Sequence, residues 1–174
     1  MLRETKLVII GSLVAILLQV ILAPNIIIFQ VMPNFILLYT LVVSMLIPLD
    51  SILIIAFILG LICDLLGYGP VGGMAFLLTL AAFAAQRLHA VFDSNSVGAP
   101  LLILIVLALL VDLCYAIVLL LISTDISPMD AFVYRALPCA LYDCVLGLVL
   151  YPFAIRALMG SQPHMKSVSP SQFR

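Results

Sequence analysis

No charged side chain occurs between Lys6 and Asp50. Few folds accept such a run: in water it would need burial on every side, whereas a bilayer takes it as two crossings at roughly 20 residues each. The remainder agrees, because 66% of the 174 residues are apolar and only 9% are charged, against about a quarter charged in a soluble domain. In hydrocarbon a helix satisfies its own backbone. The expected fold is therefore all-α and polytopic, with one transmembrane domain over residues 1–159 and the lipid bilayer as its solvent.

Apolar length, prolines and glycines divide the chain into six expected transmembrane helices: Leu7–Ala23, Asn34–Ile47, Ser51–Leu66, Val71–Gln86, Ala99–Ile122 and about Ala131–Leu158. Pro24 and Pro33 bracket the first loop, Pro48 marks the second, and Gly67 to Gly73 the third. The basic start and apolar core of the N-terminal segment resemble a signal peptide. That core is too long for one and lacks an A-x-A site, so it reads as a retained helix. Residues 160–174 are polar, small and aperiodic, which predicts a disordered tail.

With both termini cytoplasmic, Arg3, Lys6, Arg87, Arg156, Lys166 and Arg174 lie inside and only Arg135 outside. This distribution follows the positive-inside rule and predicts a multi-pass protein of an inner membrane. A formal net charge of −1 gives no nucleic-acid footprint. Cys63, Cys114, Cys139 and Cys144 lie inside apolar runs without C-x-x-C spacing, so they read as buried thiols, and neither a metal nor a cofactor is expected.

Three carboxylates fall within the apolar segments: Asp64, Asp112 and Asp143. Facing lipid, each would cost about 2.5 to 3.5 kcal/mol on the insertion scale, so each is expected to face protein or a wet cavity. Small residues share their helical faces. Ala56, Gly60, Asp64 and Gly67 form one stripe, Ala108, Asp112 and Ala116 a second, and Ala136, Ala140, Asp143 and Gly147 a third. The fourth segment adds Gly72, Ala75, Thr79, Ala82 and Gln86.

Three readings of the acids stay open. They fasten helices together, with Tyr39, Thr40, Tyr115 and Tyr142 as candidate partners; they bind an ion or substrate; or they belong to a docking surface. Counting depth along the helices places Asp64 level with Arg135, which suggests an ion pair between them. The stretch "GYGPVGG" after Asp64 reads either as a tight turn, with Gly72 and Gly73 supplying backbone freedom, or as a short cavity-lining loop. The chain carries neither H-E-x-x-H nor G-x-S-x-G, and its two histidines, His89 and His164, lie outside the expected helices. No enzyme signature emerges.

Three stretches, "MPNFILLYTLVVSMLIP", "FILGLICDLLGYGPVGGMAFLLTLAAFAA" and "LIVLALLVDLCYAIVLLL", resemble the MreD family of rod shape-determining membrane proteins. The family pattern opens its second helix with Pro-Asn or Pro-Asp, here Pro33 and Asn34, and continues with G-x-x-x-D-x-x-x-G. Here that element is Gly60, Asp64 and, one place early, Gly67, with Gly72 after the turn. Arg135 and the acidic stretch before it depart from the pattern.

The resemblance implies a non-enzymatic member of the bacterial elongasome that binds MreC and works with MreB, RodA and a class B penicillin-binding protein. It also implies a fold similar to the S components of energy-coupling-factor transporters. A substrate-binding S component for a vitamin or metal is therefore the alternative function. On the scaffold reading, Gly60, Gly67, Gly72, Gly73, Pro33, Asn34 and Ala108 are the candidate packing or docking positions.

Overall fold

In a computed structural model of the chain, the described residues are 2–27, 31–47, 51–67, 69–92, 98–122, 129 and 137–159. They form six helices, and no β-strand occurs among them. Helix α1 (Leu2–Leu17) continues through a π-helical turn (Leu18–Leu22) and a 3₁₀ turn (Ala23–Ile26). Then follow α2 (Phe35–Leu46), α3 (Ser51–Leu66), α4 (Gly73–Val91), α5 (Gly98–Ile122) and α6 (Leu137–Met159).

The expected segments correspond to these helices with small shifts at the ends. Helix α4 outruns its expected end at Gln86 and closes at Val91, with Phe92 as its C-cap. Arg87 does not stop it, because its guanidinium lies over the Phe83 ring, 5.2 Å from the centroid, and carries the charge along the helix surface. The expected start of the sixth segment, Arg135 and the tail at 160–174 all lie outside the described residues.

Helix α2 is the centre of the bundle and packs against each of the other five. Its sequence, FILLYTLVVSML, is apolar on every side, the pattern of a helix buried all round. Of its three hydroxyls, Tyr39 donates to the Val8 carbonyl of α1 at 2.7 Å, and the two aliphatic ones need no partner from another helix. Thr40 donates to the Ile36 carbonyl and Ser44 to the Thr40 carbonyl, each at 2.7 Å. Around α2 lie Leu59, Leu78, Leu104, Leu107 and Val111, all buried.

The outer surface is as apolar as the core. Ile54, Leu65, Phe76, Leu102, Leu121 and Phe153 are each more than 60% exposed. Apolar area on that scale requires a lipid solvent. Three helical stretches, Thr5–Ile26, Gly73–Val91 and Gly98–Ile122, are long and apolar enough to cross a membrane. The chain is a membrane protein.

Candidate functional site: buried acids at two helix starts

A helix leaves its first backbone N–H groups without partners, and no water in the hydrocarbon region can supply them. Helix α4 starts inside the protein. No side chain of its own N-cap residue, Gly72, serves those groups. Asp64, near the end of α3, does. Its Oδ2 accepts from Gly72 N at 2.9 Å and Ala75 N at 3.1 Å, and its Oδ1 accepts from Met74 N at 3.0 Å.

Two glycines make this arrangement possible. A Cβ on Gly60 would lie 2.5 Å from Ala75 Cα, so only glycine lets α3 approach the first turn of α4 so closely. Gly72 has φ +100°, the left-handed region that reverses the chain into α4. Gly67 takes no part in this packing, since it is exposed and its Cβ would meet only local backbone.

The start of α2 repeats the solution with a different acid. Asp143 of α6 accepts from Asn34 N at 2.8 Å, and the Asn34 side chain caps α2 by accepting from Leu37 N at 3.0 Å. Gln19, on the π-helical turn, donates to the Pro33 carbonyl at 3.1 Å and accepts from Phe35 N at 2.8 Å. Tyr142 donates to the Ile26 carbonyl at 2.8 Å. Irregular backbone inside a membrane protein is tolerated where side chains satisfy it, and these four residues do so for the approach to α2.

Asp112, on α5, stands apart. It is buried, and its Oδ2 has no hydrogen-bond partner; neither has Oδ2 of Asp143. One carboxyl oxygen from each acid and the Cys139 Sγ lie within 4.8 Å of one another. Cys139 Sγ also lies 3.6 Å from the Met32 carbonyl. The acids of α5 and α6 therefore lie together beside the start of α2, and Cys63, next to Asp64 on α3, reaches the same place with its Sγ 3.8 Å from Asn34 Oδ1.

Comparison with known proteins settles the family. Residues 2–160 match the family described as rod shape-determining protein MreD. The chain belongs to the MreD family. No curated protein matches it, and no solved structure does, so its likeness to S components is not shown. For this MreD-family chain the match covers all six helices and gives it a role in rod shape determination.

Most residues singled out in the sequence gather at two places in this MreD chain. Asp64, Gly60 and Gly72 meet at the junction of α3 and α4, Gly73 opens α4 facing Val118 and Tyr115 of α5, and Pro33, Asn34 and Asp143 meet at the start of α2. Asp112 joins Asp143 there, and Ala108, one turn away, is buried in the core. Three of the four hydroxyls proposed as partners for the acids bond backbone instead: Tyr39 donates to the Val8 carbonyl, Thr40 to Ile36 and Tyr142 to Ile26. Arg135 lies outside the described residues, and its suggested partner Asp64 has both oxygens engaged by α4. Sequence reasoning passed over Gln19, whose only signal was a lone amide in an apolar first helix.

Proposed function

We propose that this MreD-family protein is a non-enzymatic scaffold of the bacterial inner membrane. In the elongasome it binds MreC and helps couple MreB filaments to lateral peptidoglycan synthesis by RodA and a class B penicillin-binding protein. The family match supports this reading first. The single structural observation that carries it is the use made of the buried acids: Asp64 and Asp143 direct oxygens to backbone N–H groups at helix starts, as a rigid bundle requires.

A ligand-capturing S component would instead need convergent polar groups around a cavity. The cleft between α4 and α5 does not supply them, being lined by Leu77, Ala81, Leu107, Leu110 and Cys114 among other apolar side chains.

The proposal includes six crossings with both termini cytoplasmic. Support comes from the basic residues and from the alternation of the six helices. In that orientation the starts of α2 and α4, with Asp143 and Asp64, lie in the outer half of the bilayer. Reporter fusions between α4 and α5 and between α5 and α6 test it: the first is expected on the cytoplasmic side and the second outside.

Tagged purification from native membranes in mild detergent tests the function. Recovery of MreC, with or without RodA and the penicillin-binding protein, is the expected result. Recovery of ATPase subunits with a coupling protein in place of MreC would replace the scaffold with the transporter alternative.

A further inference from the structure

Asp112 is a buried acid with a carboxyl oxygen left unpartnered. It is 9% exposed, and unlike Asp64 and Asp143 it braces no helix start among the described residues. Facing it, Asp143 is completely buried, with one oxygen on Asn34 N and the other unpartnered. Two adjacent carboxylates in a medium of low dielectric repel strongly, and leaving them unpaired is costly. A positive species between them removes both penalties.

The third group at this point decides what species suits it. Cys139 precedes Asp143 by four residues on α6, so both side chains lie on one face. Its Sγ and one oxygen from each acid lie within 4.8 Å of one another. A point between three atoms so spaced is at most about 2.8 Å from each. Shifts of roughly 0.5 to 0.8 Å would bring them to the ~2.0 to 2.3 Å of zinc–oxygen and zinc–sulfur bonds.

We propose that Asp112, Cys139 and Asp143 form a site for a borderline-soft divalent transition ion, Zn²⁺ being the ion that best suits two carboxylate oxygens and one thiolate. The thiol proton, and any carboxyl proton, leaves to solvent as the ion binds. A water molecule completes a tetrahedral shell. The bond from Asn34 N to Asp143 Oδ1 fixes that carboxylate, as outer partners do in metal sites. Cys139 is only half-buried, which leaves the ion a path inward. Bound there, the ion ties α5 to α6 beside the start of the central helix.

The test uses the untagged full-length chain in detergent, stripped with chelator and titrated with Zn²⁺ and with Co²⁺ as a spectroscopic probe. One ion per chain is expected, with a thiolate-to-cobalt charge-transfer band. Cys139→Ser should abolish the band and weaken Zn²⁺ binding at least ten-fold, and Asp112→Asn should weaken it by a similar factor. Cys114→Ser should change neither. Thermal unfolding in the same detergent confirms that each variant is folded; should Asp112→Asn fail to fold, Cys139→Ser alone decides. Absence of stoichiometric binding, as when the acids share a proton or another counter-charge, overturns the proposal. Binding that Cys139→Ser leaves unchanged is adventitious and overturns it equally.

Discussion

Removing the Asp64 side chain strikes the junction of α3 and α4 at its weakest point. In Asp64→Ala the N–H groups of Gly72, Met74 and Ala75 lose acceptors now at 2.9, 3.0 and 3.1 Å. Gly72 is half-buried, but Met74 is 5% exposed and Ala75 is fully buried, so their N–H groups find no replacement. A buried donor left unsatisfied costs about 1 to 3 kcal/mol. Two such groups give a destabilisation of about 3 kcal/mol, toward the upper end of single-substitution effects.

Asp64→Asn refines the argument. With its carbonyl oxygen in the position of Oδ2 it keeps the bonds from Gly72 and Ala75, while its amide opposes the Met74 N–H. The expected cost is about half that of alanine, roughly 1.5 kcal/mol. Reversible unfolding in mixed micelles, followed by circular dichroism, measures both. If Asp64→Ala unfolds within about 0.5 kcal/mol of the unaltered chain, the acid does not hold the start of α4 and the reasoning fails.

The same unfolding assay checks four further substitutions. Gly60→Ala places a Cβ 2.5 Å from the backbone of Ala75, which cannot yield as a flexible side chain would, and should cost about 2 to 3 kcal/mol. Gly67→Ala, exposed and with only ordinary local contacts, should stay within about 0.5 kcal/mol. Gly72→Ala meets no neighbouring atom within 4 Å but keeps φ +100°, so backbone strain alone should cost about 1 to 2 kcal/mol. Gln19→Leu leaves the Pro33 carbonyl and the Phe35 N–H without their partner and should cost about 2 kcal/mol.

The helices were legible in the sequence because bilayer crossing is a matter of apolar length, and Pro33, Pro48 and the glycines after Asp64 punctuate that length openly. Asn34 as the residue opening α2 was equally legible, its cap being a local contact with Leu37. What Asp64 bonds was not. Every residue but proline carries a backbone N–H, so an acid that caps the next helix leaves no partner to find in the sequence, whereas cationic and hydroxyl side chains such as Arg135 and the tyrosines stand out. Gln19 is illegible in the sequence for a related reason. Its amide reaches Pro33 and Phe35 from a π-helical turn, a departure from regular spacing that apolar periodicity does not announce. The meeting of Asp112 with Asp143 depends on how α5 and α6 pack, which small-residue stripes favour without fixing the register.

Asp112 and Asp143 lie side by side but should respond to substitution in opposite ways in the metal-free protein. Asp143 is fully buried and accepts from the Asn34 N–H at 2.8 Å, so Asp143→Ala should cost about 1 to 3 kcal/mol. Asp143→Asn can still accept through its carbonyl oxygen and should cost less than about 1 kcal/mol. The unpartnered Oδ2 of Asp112 gives up no hydrogen bond when replaced, and its removal relieves the repulsion between two buried acids. Asp112→Asn should therefore be neutral or stabilising by about 1 kcal/mol. Unfolding of the chelator-treated chain distinguishes the two acids. A loss of 1.5 kcal/mol or more in Asp112→Asn alongside a silent Asp143→Ala would invert the assignment and make Asp112 the brace. The expected order identifies Asp112 as an acid the empty fold is better without, and a position of that kind owes its carboxylate to something bound rather than to the bundle itself.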